Sequence, residues 1–263
     1  MNQAPVSQWD PEQYERFATE RAAPFFDLLQ LIEPTDAPRV VDLGCGTGAL
    51  TVQAHQQLGA RETIGIDNSS TMLIRAHDLR VNDVTFRHGD ITSFAGDAPF
   101  DIVLSNAALQ WLPDHAAVLA LWAHALSDSG QLAVQLPANA DHPSHAVAAE
   151  LATESPFVEA FEGDPPPDPT SRVLAPEIYA EILDSLGFAR QHVRLQVYPH
   201  HLESSTDVVE WVKGTSLTRI KARLSPALYE DFLEQYRRRL AARIGDMRPY
   251  LYTFKRILFW ARR

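Results

Sequence analysis

The sequence predicts an α/β protein: a doubly wound, mostly parallel sheet of seven strands with helical segments left over to cap it. Three observations lead there. Between residues 39 and 136, short and nearly all-apolar strands alternate with helical patterns, as expected of a parallel sheet covered on both faces. A glycine-rich loop, Gly44-Cys45-Gly46-Thr47-Gly48, falls at the first strand-to-helix turn. Helical patterns also occur outside the alternation, at the N-terminus and in two later insertions.

The elements follow in order. Asp10-Pro11-Glu12 reads as a helix start, with proline at the first helical position. Tyr14, Phe17, Phe25, Leu28, Leu29 and Ile32 then recur at helical spacing, with a break expected at Pro24. Strands are predicted over 39–43, 63–67, 84–88, 100–105 and 131–136, with helices over 49–58, from a Ser69 or Ser70 cap to 79, and over 114–126. Beyond them come a helical pattern around 146–161 and the run Asp164-Pro165-Pro166-Pro167-Asp168-Pro169, which fits neither helix interior nor central strand. A helix over 176–186 stopped by Gly187, a sixth strand over 188–198, helical pieces over 206–244 and a last strand over 250–260 complete the chain. A single domain over 1–263 is expected. Its sheet core covers 36–136, 176–200 and 246–263, and its cap segments 10–34, 137–175 and 204–245.

Bulk properties narrow the function. Apolar residues make up 45% of the 263, enough for a sizeable core. The lone cysteine, Cys45, excludes an internal disulfide or multi-cysteine metal site, and the ten histidines show no metal-ligand spacing. With no apolar leader in residues 1–20 and no apolar run near the ~18 residues of a membrane span, a cytoplasmic protein is expected. A net charge of -11 argues against nucleic acid as partner. The charge is uneven: residues 211–263 hold 13 Lys/Arg and 4 Asp/Glu, the rest 10 and 30. No heptad or long apolar edge is visible, so a monomer is expected.

The loop carries the chemistry. Its glycines let the backbone approach a ligand, and the helix behind it offers free N–H groups to an anion. The spacing G-x-G-x-G is tighter than the dinucleotide fingerprint, and Asp42 before it can accept from an ammonium group. Asp67, ending the second strand, can take two ribose hydroxyls, and Asp90-Ile91, after the third, can meet an adenine amino group. An amino acid, a ribose and an adenine together describe S-adenosylmethionine.

These three elements resemble the class I methyltransferases over residues 38–136. The resemblance implies that Asp42, Gly44, Cys45, Gly46 and Gly48 line the methionine part and that Asp67 holds the ribose. It implies too that Asp90 and Ile91 frame adenine, flanked by Asn68 and Met72, with Asn106 completing the set. The N-terminal Trp9, Tyr14, Phe17, Arg21 and Pro24 carry the likeness further, as do Ser105-Asn106-Ala107-Ala108-Leu109-Gln110-Trp111 and Pro113-Asp114-His115. So do Leu132–Pro137, Pro143-Ser144-His145, Trp211-Val212-Lys213-Gly214-Thr215 and Arg256-Ile257-Leu258-Phe259. With them the chain resembles the trans-aconitate 2-methyltransferase family over nearly its whole length. It departs in lacking paired threonines around 193–201 and in placing Arg219 one position late.

The resemblance implies methyl-ester formation on a tricarboxylate. A carboxylate is ionised at neutral pH, so no general base is required and positioning carries the reaction. The carboxylates that do not react need donors, for which Arg21, Arg172, Lys213 and Arg219 are candidates. Tyr14, Trp111, Trp211 and Thr215 would supply walls and hydroxyls, and His115 a donor. Competing readings are a methyltransferase for another carboxylic acid, a phenol or an amine, and a non-catalytic S-adenosylmethionine-binding protein. A nicotinamide oxidoreductase is a further rival, disfavoured by the loop spacing and Asp42.

Overall fold

The computed structural model describes residues 18–96 and 98–263, with only the backbone of residues 18–21. The predicted helix start and Tyr14 lie outside the described residues. Helix α1 (Ala18–Leu29) continues past Pro24, where a break was expected. Phe25, Leu28 and Leu29 directly beyond it are buried, and that packing outweighs the lost backbone hydrogen bond.

The alternating part is built as β1 (Arg39–Leu43), α2 (Ala49–Leu58), β2 (Glu62–Asp67), α3 (Ser70–Asp78) and β3 (Val84–His88). It continues as β4 (Phe100–Asn106), α4 (His115–His124) and β5 (Leu126–Pro137). Then follow α5 (Pro143–Ala152), α6 (Phe157–Ala160), α7 (Pro176–Ser185) and β6 (Arg190–Leu202). Helices α8 (Asp207–Lys213), α9 (Thr218–Lys221) and α10 (Pro226–Ile244) precede β7 (Tyr250–Arg262). The strands form one sheet in the order β3-β2-β1-β4-β5-β7-β6. The pairs β1–β2, β1–β4, β2–β3 and β4–β5 are parallel, whereas β7 runs antiparallel to β5, so the sheet is mixed.

Local chemistry explains the differences in element bounds. Strand β5 starts at Leu126 rather than 131 because the register shifts between Phe100 and Ile102, letting Leu126 pair with Phe100. The helical pattern expected around 146–161 splits into α5 and α6, with Pro156 in the gap. Side-chain caps close α3 at Ser69 and α4 at Asp114.

By its internal contacts the chain divides into two compact units. One comprises Arg21–Pro137, Arg172–Gln196 and Arg256–Arg263, and contains the carboxyl ends of β1, β2, β4 and β5. Its core includes Val40, Val41, Ile64, Val103, Leu104, Leu132 and Val134 with the aromatic Phe25, Phe100, Tyr179 and Phe259, and Trp122 donates its indole N–H to Ile91 O at 2.9 Å. In this unit Glu33 ties two strands, pairing with Arg190 and with Arg262 at 2.6 Å. The other unit includes Ala138–Ser171 and Val197–Lys255. It is mainly helical, with an aromatic core that includes Phe157, Phe161, Trp211, Phe232, Tyr236 and Tyr252. Among the described residues no helix is long and apolar enough to cross a membrane.

Candidate functional site

In an open α/β sheet, ligands bind beyond the carboxyl ends of the parallel strands. Asp42 stands one residue before the end of β1 and is 3% exposed. Its Oδ2 accepts from Thr51 Oγ1 at 2.6 Å, while Oδ1 is buried with no partner. A buried carboxylate oxygen left open is costly unless a ligand fills it. Burial pushes the Asp42 carboxyl up to about 7; the Thr51 hydrogen bond opposes this and the charge of Asp67 adds to it.

The loop after β1 is held by the second strand. Gly44 N and Cys45 N both donate to Ile66 O, at 2.8 and 3.1 Å. Gly46 N donates to Asp67 Oδ2 at 2.9 Å. Gly46 has φ +56°, and a Cβ there would meet open space within 4 Å, so its face is clear for a ligand. Gly48, at φ +75°, differs: a Cβ there would lie 2.4 Å from the Phe86 ring. Gly48 also caps α2 without any side-chain acceptor, so the first N–H groups of that helix have no side-chain cap.

Asp67 Oδ1 accepts from Ser69 N at 2.8 Å, and Oδ2 from Gly46 N. Each oxygen thus makes one bond of the two it can accept, leaving capacity for hydroxyls. Asp90 is exposed and caps the short turn Ile91–Ser93 by accepting Thr92 N at 2.8 Å. Ile91 is buried, Met72 and Asn106 are half-buried, and Asn68 is exposed with its carbonyl 3.1 Å from His88 Nε2. Cys45 is the exception among the predicted cofactor residues. Its side chain packs with Leu73, Ala76 and Phe86, burial pushes its thiol up, and its N–H is spent on Ile66.

The residues present fit S-adenosylmethionine. A buried carboxyl oxygen with no protein partner, an open glycine face, a helix start without a side-chain cap and a pinned acidic residue occur in one loop region, matching an ammonium, a carboxylate and a ribose.

The predicted acceptor-binding residues divide differently. Trp111 belongs to the unit with the sheet ends and is 36% exposed, its carbonyl taking Arg172 Nη1 at 3.1 Å. His115 is buried at the start of α4. Its Nδ1 lies 2.7 Å from Tyr179 Oη, and burial lowers its pKa. Trp211, Lys213, Thr215 and Arg219 belong to the helical unit. The Trp211 ring packs in that unit's core against Tyr252 and Phe254. Lys213 pairs with Glu210 at 3.0 Å, and Thr215 Oγ1 donates to the Trp211 or Val212 carbonyl, each at 3.4 Å. Arg219 is buried, with Nη1 on the Pro166 carbonyl and Nη2 3.5 Å from Asp168. Tyr14 and the Arg21 side chain lie outside the described residues.

Sequence reasoning missed the partner set around Asp168. Its carboxylate accepts from His145 Nδ1 at 2.9 Å, from Thr170 N and Oγ1 at 2.8 and 2.6 Å, and from Arg219. Burial would raise the Asp168 carboxyl, but the His145 hydrogen bond and the charges of His145 and Arg219 outweigh it and hold it below the usual range. Thr51, the partner of Asp42, was also missed. The His145 and Arg219 contacts and the Asp42–Thr51 pair carry no short-range sequence signal, whereas Thr170 stands only two residues from Asp168.

A family model described as a methyltransferase domain matches residues 34–179. A trans-aconitate 2-methyltransferase of Deinococcus radiodurans is 43% identical over 97% of this chain and 98% of its own. One from Streptomyces coelicolor is 37% identical over 97% and 86%. Among solved structures, the YcgJ protein of Bacillus subtilis superposes with a TM-score of 0.60 at 17% identity, covering 91% of this chain and 97% of the other, a likeness of fold. The chain belongs to the trans-aconitate 2-methyltransferase family and carries a class I methyltransferase fold.

Proposed function

We propose that this chain transfers the methyl group of S-adenosylmethionine to a carboxylate of trans-aconitate, giving a monomethyl ester. The observation that carries the cofactor half is the buried, unpartnered Oδ1 of Asp42, followed in the same loop by the open face of Gly46. The acceptor half rests on likeness to relatives named for that activity.

When bound, S-adenosylmethionine supplies a methyl group on a cationic sulfur. Asp42 would accept from its ammonium group, the start of α2 would face its carboxylate, and Asp67 would take the ribose hydroxyls. Asp90, Ile91, Asn68, Met72 and Asn106 would surround the adenine end. The acceptor arrives already ionised, since a carboxylate with a pKa of about 4 holds no proton at neutral pH. The residues have no proton to remove. Their work is to hold one acceptor oxygen in line, about 3–3.5 Å from the methyl carbon, and to exclude water.

Tyr14, Arg21, Trp111, Trp211, Lys213, Thr215 and Arg219 are the acceptor-binding residues proposed by family resemblance. The test is incubation with labelled S-adenosylmethionine and a panel of acids. A base-labile methyl ester on trans-aconitate supports the reading. A base-stable product on a phenol or amine would replace it.

A further inference from the structure

We propose that Gln135 and Arg256 bind a carboxylate of the acceptor that is not methylated. The inference rests on the acid-methylating reading above and adds residues to it. Both side chains belong to the unit that carries the cofactor residues.

The argument begins with strand β5. Its run Leu132-Ala133-Val134-Gln135-Leu136-Pro137 is apolar except for Gln135, which is 1% exposed. A polar amide in the middle of a sheet needs its bonds filled. Gln131, two alternations earlier on the same face, shows the filled case. Its Oε1 accepts from Glu33 N at 2.8 Å and Trp260 Nε1 at 2.7 Å. Its Nε2 donates to Glu33 O and Thr35 Oγ1, both at 2.9 Å. Gln135 differs. Its Oε1 takes Arg256 Nη1 at 3.3 Å, and its Nε2 is buried with no partner. Accepting from Arg256 orients the amide so that its two N–H groups are the ones left to be filled.

Position supports a ligand as the missing acceptor. Gln135 pairs in register with Asn106, and its carbonyl accepts the Ala107 N–H at 2.8 Å. Ala107 holds φ +54°, a strained value for a residue with a side chain. The amide therefore stands at the carboxyl ends of β4 and β5, where open sheets bind ligands. Arg256 enters from the antiparallel β7, in register with Pro137, and is 8% exposed. An amide N–H₂ beside a guanidinium fork is a donor set suited to a carboxylate.

The test compares wild type with Gln135→Leu, Gln135→Glu and Arg256→Lys in the full chain. KM and kcat are read for trans-aconitate, alongside the Kd for S-adenosylhomocysteine and the Tm. The expected result for Gln135→Leu is a KM raised about tenfold or more, with kcat within a few-fold and the cofactor-product Kd unchanged. Gln135→Glu keeps the acceptor for Arg256 and turns a carboxylate against the substrate, so its KM rises further. Arg256→Lys loses the fork and weakens binding. If Gln135→Leu does not fold, Gln135→Glu and binding of propane-1,2,3-tricarboxylate to protein saturated with S-adenosylhomocysteine decide the matter. Unchanged KM in the Gln135 variants, with Tm alone altered, overturns the inference in favour of a structural amide. A raised S-adenosylhomocysteine Kd overturns it in favour of the cofactor pocket. Wild-type protein that methylates no acid sinks the underlying reading, and the inference with it.

Discussion

At the scale of single residues, Asp42 bears the most consequence. Its folded value of about 7 lies above the ordinary 3.8, so the carboxyl is stable when neutral and costly when charged. The sign follows: stability of the unliganded protein falls as pH rises from about 4 to about 7, as the buried group ionises. A bound ammonium reverses this by preferring the ionised form. Asp42→Asn is therefore expected to raise the melting temperature of the unliganded protein at pH 8 while weakening S-adenosylhomocysteine binding about 10-fold to 100-fold. Calorimetry at two pH values checks both signs. In wild type, cofactor affinity should fall as pH drops below about 7, because Asp42 takes up a proton. An affinity flat from pH 8 to pH 6 would remove Asp42 from the ammonium site.

The loop glycines make a second residue-scale contrast. Gly48→Ala forces a Cβ to 2.4 Å from the Phe86 ring at φ +75°. A loss of about 2–4 kcal/mol in denaturant unfolding is expected, from overpacking plus backbone strain. Gly46→Ala meets no neighbour within 4 Å. Its stability loss should be about 1 kcal/mol, the strain alone, with a disproportionate loss of cofactor affinity. Equal stability losses in the two variants would contradict the packing assignment.

At the scale of elements, legibility followed the range of the signal. The loop, the Ser69 cap and the strands β1 and β3 were legible because each depends on residues within a few positions. The Asp168 set was not, because His145 stands 23 residues away and Arg219 stands 51. The partner of Arg219 was illegible for the same reason: the sequence shows an arginine but not the carboxylate that folding brings to it. Gln135 did leave a trace, as the one polar residue in an apolar strand, but its Arg256 partner is 121 residues on. The Asp168 set also predicts an acid response. Its carboxyl is held below the usual range, so the stability it contributes is present above about pH 4 and lost as pH falls further. Asp168→Asn should cost about 3–5 kcal/mol at neutral pH, leaving Arg219 buried without its counter-charge. The variant should also lose part of the stability drop between pH 4 and pH 2, which acid titration of the circular dichroism signal checks.

At the scale of the whole molecule, the chain has a mixed seven-stranded sheet and a mainly helical unit that includes Ala138–Ser171 and Val197–Lys255. The predicted cofactor residues, from Asp42 to Asn106, fall in one unit. The predicted acceptor residues do not, since Trp111 lies in the sheet unit and Trp211, Lys213, Thr215 and Arg219 in the helical one. Family likeness extends over both, covering 97% of the chain in the Deinococcus radiodurans relative. The central claim concerns the reaction, and methyl transfer tests it most directly. Labelled S-adenosylmethionine should give a base-labile ester, formed faster on trans-aconitate than on citrate, cis-aconitate, isocitrate or malonate. Firm binding of S-adenosylmethionine with no methylated acid from any of the five would contradict the account.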